Sequence, residues 1–155
     1  NKRKMKINIQ SSILFLVILS TLLACNKNEN PLINQANMWD CHHKTTWDSL
    51  KIKKTLIGEW TWEYFTCSEE PDTNKTEFKG LTIEFRPDNT LDMKKNGQTT
   101  QTSNWKVVDG DADLFAINVA PSVFQLHGQI LFCCGRVEFN NSILDGCDNY
   151  FKRKE

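Results

Sequence analysis

Gly58-Glu59-Trp60-Thr61-Trp62-Glu63-Tyr64 is the stretch on which the fold turns. Aromatic residues hold every second position after Gly58, with Glu59, Thr61 and Glu63 between them. A period of two is that of a β-strand, whose side chains leave alternate faces. The stretch therefore reads as a half-buried strand with Trp60, Trp62 and Tyr64 on one inward face. Just before it, Thr45-Thr46-Trp47-Asp48 has the form of a capped helix start, and Trp47, Leu50, Lys54 and Ile57 recur at helical spacing until Gly58 ends the run.

Downstream the two-residue rhythm repeats. Leu81, Ile83 and Phe85 alternate with Thr82, Glu84 and Arg86, and Pro87-Asp88-Asn89 turns the chain. Leu91 and Met93 follow, then Asn96-Gly97, a dipeptide that favours a tight hairpin. Further strands are predicted over 102–108, 114–119, 129–133, 136–139 and 149–154, with Asp109-Gly110 and Cys134-Gly135 as turns and 120–127 as the one long connection. The expected fold is all-β: a small eight-stranded antiparallel up-and-down barrel preceded by one short helix. A sandwich would need longer crossing loops.

The chain has 155 residues with 19 basic and 19 acidic side chains. This balance excludes a nucleic-acid partner of the basic-patch kind. The charge is unevenly placed: Lys2, Arg3, Lys4 and Lys6 precede Cys25 and no acid does, so the remainder is mildly acidic. Lys6, the apolar run Ile13–Leu19 and Leu22-Leu23-Ala24-Cys25 follow the layout of a signal peptide, and the apolar run is too short for a membrane span of ~20 residues. Leu-Leu-Ala-Cys resembles the lipobox of bacterial lipoproteins, which implies acylation of the Cys25 thiol and cleavage before it. Acyl chains on Cys25 would anchor the protein in the membrane, since more than one chain is needed for stable binding. The expected organisation is signal peptide over 1–24, lipidated Cys25 and a flexible tether over 25–44, and the barrel domain over 45–155. The expected address is the cell envelope, at the outer rather than the inner membrane.

Gly58-Glu59-Trp60, after a short helix and opening the first strand, resembles the Gly-x-Trp motif of lipocalins. Asp145-Gly146-Cys147-Asp148-Asn149-Tyr150-Phe151-Lys152-Arg153 is similar to the end of lipocalin-like domains in Bacteroidota lipoproteins. The resemblance covers residues 45–155 and implies that Arg153 on the last strand covers Trp60 where the barrel closes, with Gly58, Trp60 and Arg153 as the structural motif. The chain is shorter than a typical lipocalin, and neither the middle motif nor a helix after the last strand is present. A shallower or more tightly filled barrel is therefore expected.

Other constellations carry less chemistry. Cys41-His42-His43 offers three metal donors in a row, but neighbouring side chains point apart, so it reads as a solvated segment before the helix. Asp109-Gly110-Asp111-Ala112-Asp113 resembles half a calcium loop, yet the positions that should be Gly and Glu are Leu114 and Ala120. Of Cys41, Cys67, Cys133, Cys134 and Cys147, the pair Cys133–Cys147 is expected to form a disulfide, with Cys134–Cys147 as the alternative. No Gly-x-Ser-x-Gly, His-Glu-x-x-His or phosphate loop is present, so no enzyme, metal or cofactor is expected. The interior aromatics leave two readings. Trp60, Trp62, Tyr64, Ile83, Phe85, Met93 and Trp105 line a site for a small apolar ligand, or they fill a solid core and the protein acts on another macromolecule through its surface.

Overall fold

A computed structural model describes residues 35–67, 71–72, 78–142 and 146–155; the expected signal peptide, Cys25 and the first part of the tether lie outside the described residues. Two short helices, α1 (Gln35–His42) and α2 (Ser49–Leu56), precede the strands β1 (Gly58–Thr66), β2 (Pro71–Asp72), β3 (Leu81–Phe85), β4 (Thr90–Lys95), β5 (Gln98–Asp109), β6 (Phe115–Ala120), β7 (Gln129–Cys133), β8 (Arg136–Asn140) and β9 (Asp148–Arg153). Apart from the two-residue β2, which pairs only with β1, eight antiparallel strands follow one another in sheet order, and β1 pairs with β9 to close the ring.

Turn chemistry explains the meander. Asn96 and Gly97 both have positive φ (50° and 82°), as do Cys134 and Gly135 (46° and 75°). This is the mirror-image turn whose twist matches antiparallel strands. The ring is uneven. β4 and β5 or β5 and β6 pair over six residues, whereas β6 and β7 share only Phe115↔Ile130 and Ala116↔Gln129.

The interior is one apolar cluster that includes Trp60, Trp62, Ile83, Phe85, Trp105, Phe132, Phe139 and Phe151, and Ile52 and Leu56 of α2 join it. A second, smaller cluster lies on the outer face of β7 and β9: Met38, Tyr64, Leu114, Leu131, Cys133 and Tyr150. α1 supplies its lid, with Met38 fully buried.

Several expectations need correction. Residues 35–42, assigned by sequence to the tether, are helical and docked, and two α-helices replace the expected one. α2 begins later than expected, because Asp48, not Thr45, accepts the Lys51 N–H (2.7 Å) as its cap. Its buried face is Ile52 and Leu56, while Leu50 is 60% exposed. Trp47 and Ile57 pack at the edge of the core from outside the helix. Tyr64 does not share the face of Trp60 and Trp62. The β1–β9 ladder slips between Trp62↔Phe151 and Tyr64↔Tyr150, leaving Glu63 as an extra residue. This bulge turns Tyr64 outward and Phe65 inward, which strict alternation could not foresee.

Candidate functional site

The ring of strands closes where α2, β1 and β9 meet. Trp60 stands opposite Arg153 in the β1–β9 ladder, and the Arg153 guanidinium lies 5.1 Å from the centroid of the indole. Arg153 Nη1 donates to the Thr55 carbonyl (2.7 Å) and Nη2 to the Ile57 carbonyl (2.6 Å), while Trp60 Nε1 donates to the Leu56 carbonyl (2.7 Å). These are the carbonyls a helix leaves without partners at its C-terminal end, so the motif caps α2 as it seals the ring. Gly58 has φ +129°, and a Cβ there would stand 3.0 Å from Arg153 Nη2. Only glycine takes that backbone without strain.

Of the residues expected to line a ligand site, Trp60, Trp62, Ile83, Phe85 and Trp105 are buried in the interior and Met93 packs half-buried against them. Tyr64 is in the outer cluster. The rings fill the space by contact with one another: Trp60–Phe132 (6.2 Å between centroids), Trp62–Phe78 (5.4 Å), Phe85–Trp105 (5.0 Å) and Phe139–Phe151 (5.8 Å). Trp62 and Trp105 also place their indole N–H groups on Asn149 Oδ1 and the Thr90 carbonyl. A depression of about 330 Å³ lies elsewhere, beside the short β6–β7 seam, lined by Ile117, Asn118, Val119, Ser122, Leu126 and His127. It includes none of the expected ligand residues. Ser122 Oγ meets His127 Nε2 at 2.7 Å on its exposed rim.

The cysteine pairing differs from expectation. Cys41 bonds Cys133, and Cys67 bonds Cys147. Cys133 and Cys134 lie at the β7–β8 turn, whereas Cys147 precedes β9 at the opposite end of the sheet, one five-residue strand away. A disulfide cannot span the roughly 17 Å of such a strand. Cys67 instead follows Thr66, which pairs with Asp148 beside Cys147. The Sγ atoms of Cys41, Cys133 and Cys134 lie within 4.8 Å of one another, but the first two are joined in a disulfide and offer no thiolate to a metal.

His42 is not solvated. It is 3% exposed, stacked on Trp47 (5.1 Å), and its Nδ1 accepts the Phe132 N–H (3.0 Å), a donor on the part of β7 that β6 does not reach. That bond requires an unprotonated Nδ1. Burial, with the nearby His43, brings its pKa down to about 4.

Sequence reasoning missed a polar group on the outer face of β7–β9. Gln129 stands opposite Asn140, Glu138 opposite Tyr150, and Thr66 opposite Asp148. Gln129, Glu138, Asn140, Asp148 and Tyr150 are all buried. Asn140 Nδ2 donates to Glu138 Oε1 (2.9 Å), and Asp148 Oδ1 accepts the Asn141 and Ser142 N–H groups (2.7 and 2.8 Å). Burial, then the Asp148 charge, pushes the Glu138 carboxyl up to about 8, and burial also raises Asp148. The only signal available was that Glu138 sits between Val137 and Phe139, at what alternation makes an outward position. Nothing in the sequence tells that the outer face is covered there.

Comparison with models of known protein families, with curated proteins and with solved structures returned no match.

Proposed function

We propose that this chain is a non-enzymatic, lipid-anchored cell-envelope protein whose lipocalin-like barrel is solid and which works through its outer surface. The observation that carries this reading is the interior itself, where Trp60, Ile83 and Phe85 are at most 2% exposed and the rings occupy one another's space. Lipocalin-type ligand binding needs an open lumen, and protein interiors packed to crystal density leave no room for one. The disulfides Cys41–Cys133 and Cys67–Cys147 suit an exported chain in an oxidising compartment. The anchoring part of the reading rests on Leu22-Leu23-Ala24-Cys25.

Native mass spectrometry of the full chain, extracted in detergent and sprayed without denaturation, tests the solid interior. The expected spectrum shows the acylated protein alone. A stoichiometric small apolar molecule released on denaturation would overturn the reading in favour of ligand carriage.

A further inference from the structure

The seam between β6 and β7 leaves one strand edge open. Their ladder is confined to Phe115↔Ile130 and Ala116↔Gln129, so β6 runs on from Ile117 to Ala120 with no strand beside it on that side. On its other side β5 pairs with all of β6. Antiparallel hydrogen bonds alternate between the two edges of a strand. The Gly110 N–H donates to the Leu114 carbonyl (2.9 Å), and the Trp105 N–H donates away from β6, to the Asn89 carbonyl (2.8 Å). Both bonds fix the same phase. Asn104, Lys106 and Val108 face Ala120, Asn118 and Ala116 with their hydrogen-bonding groups, so Ile117 and Val119 turn their N–H and C=O groups to the open edge. Among the described residues neither finds a backbone partner there.

The connection that returns to β7 does not close this edge. The depression of about 330 Å³ is bounded by Ile117, Asn118 and Val119 of the strand and by Ser122, Leu126 and His127 of the connection. Phe124, 58% exposed, meets the His127 ring (5.7 Å) on its rim. In a mildly acidic chain this side carries no acid: residues 98–108 and 114–128 contain no Asp or Glu, and exposed Lys106 stands opposite exposed Asn118. Proteins blunt open edges with charge, proline or a bulge, and Ile117-Asn118-Val119-Ala120 carries neither charge nor proline.

We propose that the open edge of β6 docks an extended segment of another protein, which joins the sheet as a strand beside Ile117–Ala120. The open donors and acceptors recur every second residue, at a spacing of about 7 Å, and another extended backbone presents the complementary pattern. Main-chain bonds supply the affinity, Phe124 offers apolar contact, and Lys106 favours an acidic side chain on the outer face of the added strand. This names a partner class for the surface reading above and rests on it; failure here leaves the native spectrum, and so the solid interior, untouched.

The full chain in detergent is titrated with a blocked seven-residue peptide of alternating valine and threonine around a central glutamate, by calorimetry and amide hydrogen exchange. Wild type should bind one peptide per chain, and the Ile117 and Val119 amides should exchange at least about tenfold more slowly at saturation. Val119→Pro should abolish binding yet melt close to wild type, because the N–H it removes has no partner in the sheet and proline is tolerated on an edge. Lys106→Glu, a change on the exposed face, should reverse the preference in favour of a peptide with a central lysine. Absence of binding heat and of slowed amides in wild type would overturn the proposal. Binding that survives both substitutions unchanged would overturn it by placing the peptide elsewhere. A wild-type dimer in sedimentation that Val119→Pro dissolves would assign the edge to a second copy of this chain instead.

Discussion

Gly58 shows how one residue type can be demanded twice, by its own backbone and by a neighbour. Its φ of +129° excludes side chains on strain, and its missing Cβ leaves space for the Arg153 guanidinium. Gly58→Ala should therefore cost about 1–3 kcal/mol, the usual range for a residue forced into a sparsely populated conformation. Arg153→Lys should cost about 1–2 kcal/mol, because an ammonium cannot cover the Trp60 ring and reach the carbonyls of both Thr55 and Ile57. Denaturant unfolding followed by tryptophan fluorescence measures both. An Arg153→Lys variant within experimental error of wild type would mean that the guanidinium contributes nothing its charge alone does not.

Among the elements, α1 has the most to lose from a change of conditions. It docks on β7 through Cys41–Cys133, Met38 and the His42 contact to the Phe132 N–H. Because burial lowers the His42 pKa from 6.5 to about 4, the unfolded chain binds the extra proton first as pH falls. The stability this residue contributes is complete above pH 6.5 and is lost as pH drops toward 4, up to about 3 kcal/mol. Glu138 acts in the opposite sense: its raised pKa means stability is lost as pH rises from 4.5 toward 8. Between about pH 7 and pH 4 the two contributions oppose one another. His42→Gln, whose amide oxygen can accept the same N–H without a charge, should shift the slope of melting temperature against pH so that acid costs it less stability than it costs wild type. Equal slopes would remove His42 from the account. The disulfide belongs to the same element. It closes a span of 92 residues, which the chain-entropy model values at about 4–5 kcal/mol. Cys41→Ser with Cys133→Ser should lower stability by an amount of that order, read in denaturant titrations of the two proteins.

For the molecule as a whole, the ring closes at β1–β9 over six register pairs and is thinnest at β6–β7 over two. Hydrogen exchange should show this asymmetry: amides of β1 and β9 protected to near the global stability, those of Ile117–Ala120 exchanging through smaller openings. Peptide mapping without reduction should recover Cys41–Cys133 and Cys67–Cys147. A Cys133–Cys147 peptide would contradict the sheet direction described above. If the anchor reading holds, Cys25→Ser should move the protein from the membrane to the soluble fraction and abolish labelling by a fatty acid.

The sequence by itself determined the rhythm of the fold: strands where apolar residues alternate, such as Leu81-Thr82-Ile83-Glu84-Phe85, and hairpins where Asn96-Gly97 or Cys134-Gly135 accept positive φ. These are legible because period and turn conformation depend on neighbours in the chain. The tertiary structure alone decided which segments meet. It set Cys147 against Cys67 rather than Cys133, because antiparallel strands put consecutive turns at opposite ends. It placed Glu63 as the residue whose insertion turns Tyr64 outward, since a bulge is a property of two paired strands. It laid α1 over an outer face that alternation marks as solvated, burying Met38 and His42 of a helix whose own sequence shows little amphipathic pattern. Burial of that kind comes from long-range docking, and so does the unmet polarity of Gln129 and Glu138 beside it. No local pattern in a sequence records which distant segment will cover it.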